Sequence, residues 1–267
     1  MKAAMLAALL ITLAHANPQG KVQRSSNEVC ECSKLFQVHS VATWETPTDP
    51  GAFFYVSGLA IDADGAFRAY HPDQELGLDS LNHAGHRGNW WALVTDNEKK
   101  DGRPVVQGES DPAPGYYVSM TALYDTHNPN PRDPHRYVDA SNIPYVVLPP
   151  EGFQHARLGD FATVANLQNG QITGAIVADE SAPGLKFGEG SIALADALAV
   201  DSSPRYGGKN RGVAYVIYPH SGNGEPRSLK EIDEHSQKLF ESWGGMKKLN
   251  LCLAATGNGP KLGHPTP

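Results

Sequence analysis

This chain has no excess of positive charge. Lys and Arg number 22 against 29 Asp and Glu, a net of −7. A phosphate backbone is therefore a poor partner, whereas a cationic polymer is permitted. Cysteine is scarce, with only Cys30, Cys32 and Cys252. No zinc-type spacing, P-loop, Gly-x-Ser-x-Gly or internal repeat occurs. After the first sixteen residues no apolar run is long enough to cross a bilayer. The expectation is a protein without nucleic acid, membrane, metal or cofactor, acting as a monomer.

What is present begins with an export pattern. Lys2 precedes the apolar stretch Ala3–Leu13, and Ala14-His15-Ala16 is a small-x-small cleavage site. Residues 1–16 thus read as a signal peptide, and the mature chain is expected to be extracellular. Export permits disulfides. Cys30 and Cys32 are too close to pair with each other comfortably, so one of them should join Cys252 and leave the other free.

Gly 27 and Pro 20 imply many turns and short strands. Residues 17–50 read as an N-terminal arm, 51–225 as a β-rich domain, and 226–267 as a helix and tail packed on it. Within the domain, Phe54–Val56 and Leu59–Ile61 lead to Asp64-Gly65 and then Phe67–Tyr70, a hairpin signal. Further strands are expected at Asn89–Val94, Tyr116–Tyr124, Ile143–Leu148, Gly159–Ala165, Ile172–Asp179 and Val213–Tyr218. Asn169-Gly170 is a strong turn between two of them. Helical patterns occupy Ile192–Val200 and Leu229–Trp243, the second with Ser228 as N-cap. The fold class is β-rich α+β: one closed or nearly closed β-barrel with a core helix and a C-terminal amphipathic helix.

Two patterns resemble metal sites, and each has a plainer explanation. Asp62-Ala-Asp64-Gly65 starts like a calcium loop, but its twelfth position is Asp73 in place of Glu. His71, His83 and His86 lie in a polar loop without helical His spacing, which favours a solvated loop.

The stretch Gly174–Val200 carries the chemistry. An apolar run, Ala175–Ala178, delivers Asp179 at a strand end. A turn with Pro183-Gly184 follows, and Glu189 stands between two glycines before an apolar helix.

The segments Asp62-Ala-Asp-Gly65, Ala69-Tyr-His-Pro72, Gly88-Asn-Trp-Trp91, Pro114–Ser119, Tyr137-Val-Asp139, Ile143–Val146, Ala178-Asp179 and Gly188-Glu-Gly-Ser191 together resemble the chitosanases of glycoside hydrolase family 75. The resemblance spans roughly residues 53 to 220. It implies a secreted, inverting, endo-acting enzyme that cleaves β-1,4 links of chitosan, built on a barrel of double-psi type. It also implies that Asp179 and Glu189 are the catalytic pair. The nine residues from Glu180 to Gly188 form a shorter connection than in fungal members, which bears on the subsites more than on the chemistry.

Desolvation at a strand end should raise Asp179 and suit it to be the acid. A helix N-terminus beside Glu189 should favour its charged form and suit it to be the base. Ammonium groups of the substrate would meet Asp62, Asp64, Asp96 and Glu180. Sugar faces would stack on Tyr70, Trp91, Tyr116 and Tyr117. The rival readings are a hydrolase of another glycan, such as peptidoglycan, and a carbohydrate-binding protein without turnover.

Overall fold

The computed structural model describes residues 30–47, 51–182, 185 and 187–258. The expected signal peptide, residues 17–29 of the expected arm, the expected turn at Pro183-Gly184 and residues 259–267 lie outside the described residues. The chain opens with β1 (Ser33–Val38) and β2 (Val41–Thr46), followed by β3 (Ala52–Asp62). A minor hairpin pairs β4 (Gly85–His86) with β5 (Asn89–Trp90). Then come β6 (Tyr145–Leu148), β7 (Phe161–Asn166), β8 (Ile172–Glu180) and β9 (Glu189–Ser191). The helix α1 (Ile192–Ala197), the strand β10 (Lys209–Ile217), and the helices α2 (Leu229–Trp243) and α3 (Gly245–Ala255) complete the chain.

Eight strands form one sheet in the order β1-β2-β3-β10-β7-β8-β6-β9, and β9 also pairs with β3. That last pairing closes six of them, β3-β10-β7-β8-β6-β9, into a mixed barrel. The protein is thus β-rich α+β, as its strand pattern indicated. The ladders β3–β9 and β6–β8 are parallel and the other barrel ladders antiparallel.

Side-chain alternation divides the apolar residues into two clusters. Tyr55, Leu59, Ile61, Val146, Leu148, Val164, Val177 and Tyr215 pack together on one side of the sheet, inside the barrel. Phe54, Tyr145, Val147, Ile176, Ala178 and Val216 pack on the outer side, with Ile232, Phe240 and Trp243 of α2 and Leu249 of α3. The start of α2 is fixed by a capping box between Ser228 and Glu231.

Four sequence expectations are corrected. The segment 33–46 is a hairpin on the sheet and not a loose arm. Phe67–Tyr70 does not return as a strand; Ala52–Asp62 is one long strand that ends in a turn at Asp64-Gly65. Tyr116–Tyr124 makes isolated bridges, Val106 to Tyr117, Leu93 to Ser119 and Tyr124 to Tyr137, and no continuous strand. Gly245–Ala255, expected as part of a tail, is a helix. Cys252 of α3 is bonded to Cys30, which ties the two ends together. Cys32 is the free cysteine.

Candidate functional site: a carboxylate cluster beside a cleft

One residue of β6 organises the site. Val147 is the register partner of Asp179 on β8 and of Glu189 on β9. Neighbouring strands are about 4.8 Å apart, so the two acidic residues stand about 10 Å apart at Cα. Residues paired across a ladder share a face, so both belong to the outer face with Val147.

A register break places Asp179 there. Val177 belongs to the interior cluster and Ala178 to the outer one. Strict alternation would return Asp179 to the interior. The β6–β8 register shifts between Val146 and Val147, and Ala178 is the residue left over. This bulge re-aims Asp179 outward, a common use of an extra residue beside a site. Glu189 needs a different device. Its strand squeezes between β3 and β6, where a Cβ on Gly190 would lie 2.6 Å from the Tyr145 carbonyl oxygen. Gly188 adopts φ 106°, a conformation that favours glycine.

The end of β3 supplies two more acids. Asp62 Oδ1 accepts from the Asp64 N–H at 2.9 Å. Tyr145 Oη lies 3.0 Å from Asp62 Oδ2 and 2.9 Å from the Asp64 carbonyl oxygen. Tyr70 Oη donates to Asp64 Oδ1 at 2.7 Å. Asp179 Oδ1 accepts from the backbone N–H groups of Ala122 (3.1 Å) and Glu180 (2.8 Å). Oxygens of Asp62, Asp64 and Asp179 lie within 4.8 Å of one another. That spacing could hold a divalent cation. It also fits carboxyls that share protons, because adjacent buried negative charges cannot all ionise. A second set with cation-compatible spacing, Asp125, His127 and Glu225, lies on the surface.

Burial dominates the electrostatics. It pushes the Asp179 carboxyl well above the carboxylate range, and Asp62 adds to the rise. Asp64 is raised in the same way by burial and then by Asp62 and Asp179. Asp62 is pushed up to about 6 by burial, offset in part by the Asp64 N–H and Tyr145. Glu189 is pushed up to about 8, first by burial, then by Asp62 and Asp79. The expected lowering of Glu189 by a helix terminus is therefore overturned. The helix has only six residues, and it is capped by Ser191, whose Oγ accepts from Leu194 N. Glu189 precedes that cap on a strand packed among acids.

A cleft of about 800 Å³ opens beside the cluster. Asp64, Asp179, Glu180 and Trp91 line it, together with Lys100, Tyr124, Arg136 and Tyr137. Trp91 is 44% exposed, and its indole N–H donates to the His83 carbonyl at 2.8 Å.

Of the residues expected from sequence, Asp62, Asp64, Asp179 and Glu189 converge, and Tyr70 joins them through Asp64. Trp91 and Glu180 line the adjoining cleft. Asp62, Tyr70, Glu189, Asp96, Tyr116 and Tyr117 are not among its lining residues. Asp96 is paired with Arg103 Nε at 3.1 Å. Tyr116 donates to the Leu76 carbonyl and meets His71 edge-on. Tyr117 packs against the outer core. Sequence reasoning missed Asp79, Tyr145, Tyr124 and Arg136. Asp79 is buried and held by His83 at 2.9 Å. It looked like one more acid in a polar loop. Tyr145 carried a readable signal, since a strand tyrosine on the face of Ala178 needs a polar partner there.

Fold and site together define a class: a closed β-barrel protein with a buried carboxylate cluster beside a cleft of about 800 Å³. No family model matches this chain, and no curated protein matches it either.

Proposed function

We propose that this chain is a secreted, inverting, endo-acting glycoside hydrolase that cleaves β-1,4 links of chitosan. The observation that carries the proposal is the placement of Asp179 and Glu189 on either side of Val147, on one face, with Asp179 lining the cleft and Glu189 set behind its lining. Inverting hydrolysis needs two carboxyls about 6.5–9.5 Å apart, so that water fits between base and anomeric carbon. A Cα separation of about 10 Å is compatible with that window.

Asp179 is the proposed acid. Desolvation and Asp62 keep its proton in place until it passes to the glycosidic oxygen. Glu189 is the proposed base. It takes a proton from water, whose oxygen attacks the anomeric carbon from the opposite face as the bond to the leaving sugar breaks. In the free protein Glu189 holds a proton up to about pH 8. A bound chain of ammonium groups would oppose that rise and favour the carboxylate. The reverse assignment has one observation in its favour, the two backbone N–H groups on Asp179 Oδ1, which favour its charged form. The Cys30–Cys252 disulfide supports export.

The test is reducing-end production from chitosan by wild type, Asp179→Asn and Glu189→Gln, with and without azide. Azide should restore turnover only to Glu189→Gln, because it replaces the water-activating base. Restoration of only the Asp179 variant reverses the roles. Binding of chitosan without new reducing ends from wild type would leave a carbohydrate-binding protein. Turnover of peptidoglycan but not chitosan would move the substrate class.

A further inference from the structure

A cleft built only to hold a polycation would be lined by acids. This one is mixed. Lys100 and Arg136 line it along with Asp64, Asp179 and Glu180. Arg136 has the unusual surroundings. Its guanidinium carbon lies 4.3 Å from the centroid of the Tyr124 ring. Its Nε is buried and has no hydrogen-bond partner. Among the described residues it forms no ion pair. Tyr124 is itself 38% exposed, and bridges to Tyr137 across the cleft wall.

The location ties this group to the reaction. Ala122, whose N–H donates to Asp179, is two residues before Tyr124. Leu123 N–H donates to the Ala178 carbonyl, so the backbone that carries Tyr124 is fastened to β8 beside the proposed acid. The Asp125 N–H donates to the Arg136 carbonyl at 2.8 Å, which holds the arginine against the same segment. An arginine cannot give up its charge, and the terminal N–H groups of this half-buried guanidinium, which lines the cleft, can donate to an oxygen acceptor there. A sugar with a free ammonium would present like charge there. A sugar with an acetamido group presents a carbonyl oxygen and a neutral methyl that can rest on Tyr124.

We propose that Arg136, stacked on Tyr124, selects an N-acetylated sugar in the subsite next to the proposed acid, so that cleavage of partly acetylated chitosan is directed by acetyl position. The inference rests on the hydrolase reading for its effect on cleavage, but its binding step stands apart from turnover. Arg136 is a specificity-determining residue on this view, and Lys100 adds charge of the same sign.

The test has two arms. In the first, Glu189→Gln is titrated with the N-acetylglucosamine tetramer and the glucosamine tetramer, alone and combined with Arg136→Met or Arg136→Lys. The acetylated tetramer should bind about tenfold more weakly to Arg136→Met, and the methionine should improve glucosamine binding. Arg136→Lys keeps the charge without the fork and should fall between them. Thermal denaturation of each variant reports its folding. In the second arm, partly acetylated chitosan is digested and the products sequenced by mass spectrometry. Wild type should enrich N-acetylglucosamine at one of the two new ends, and Arg136→Met should lose the enrichment while cutting fully deacetylated chitosan faster. Equal tetramer affinities with and without Arg136, in folded variants, would overturn the proposal. So would identical acetylation patterns at the product ends, or failure of the acetylated tetramer to bind. Selective binding without any cleavage would sink the hydrolase reading and leave the Arg136 subsite standing.

Discussion

Replacing Glu189 with Gln should make the protein more stable as well as inactive. The carboxyl is pushed from its ordinary 4.5 up to about 8, chiefly by burial and then by Asp62 and Asp79. Between those two values the folded chain keeps a proton that the unfolded chain has released. Stability therefore falls as pH rises across that window, by about 1.4 kcal/mol per pH unit for a fully expressed shift. Fully expressed, that is about 3 kcal/mol lost by pH 7 and about 5 kcal/mol above pH 8. The side chain keeps part of its surface in water, so about 2 kcal/mol at pH 7 is the working figure. Gln has nearly the same shape and no charge to desolvate. For a domain of this size the gain corresponds to about 4–8 °C in Tm. The assay is thermal or urea denaturation of wild type and Glu189→Gln from pH 4 to 9. The two curves should meet near pH 4, and the variant should pull ahead as pH rises, with no further divergence beyond about pH 8–9. A variant less stable than wild type at pH 8, or a gap independent of pH, would refute the reasoning. Such a result would mean that Glu189 is stabilised as a carboxylate by a partner, and that its burial does not govern its charge. A gain in stability on losing the proposed base is the expected signature of a site that trades stability for function.

Three further outcomes follow from the same geometry. Cys252→Ser opens a disulfide that links residues 222 apart in sequence. It should lower stability by about 3–5 kcal/mol, read as a fall in Tm of about 6–20 °C under non-reducing conditions. Gly190→Ala forces a Cβ toward the Tyr145 carbonyl at 2.6 Å. It should cost about 2–3 kcal/mol in urea denaturation and reduce reducing-end release more than tenfold, because Glu189 moves with its neighbour. Asp96→Asn should leave chitosan cleavage within about twofold of wild type, since Asp96 is engaged by Arg103 and does not line the cleft; a loss of tenfold in kcat/KM would place it at the substrate after all.

Local pattern alone was enough for much of the barrel. The runs within Ile143–Leu148, Gly159–Ala165, Ile172–Asp179 and Val213–Tyr218 are rich in apolar and β-branched residues, and each lies in or overlaps a strand, although the last strand begins four residues earlier, at Lys209. Asn169-Gly170 joins two of them because a tight turn there needs a positive φ, which Gly170 adopts at 78°. The capping box at Ser228 begins α2 through contacts that span only three residues. Asp179 and Glu189 stood out for the same reason, each following or opening a short apolar element. Ser33–Thr46 did not show as strands because its residues are largely exposed or half-buried, and the hairpin of β1 and β2 joins the sheet only through the pairing of β2 with β3. Phe67–Tyr70 and Tyr116–Tyr124 have strand-forming residues but no ladder to join, so burial without pairing left them irregular.

Composition and spacing thus determined a β-rich domain, a cysteine bridge to the C-terminal region, and two acids near the ends of firm elements. Those are one-dimensional properties, set by side-chain type and by neighbours a few residues away. Tertiary structure alone decided that Cys30 and not Cys32 forms the bridge, that β9 closes the barrel, and that a bulge at Ala178 turns Asp179 outward. It also decided the charge of Glu189. A helix end a few residues away argued for a carboxylate, but burial beside Asp62 and Asp79, brought from 127 and 110 residues away in sequence, outweighs it. Desolvation and Coulomb repulsion depend on distance in space, and only the closed barrel sets those distances.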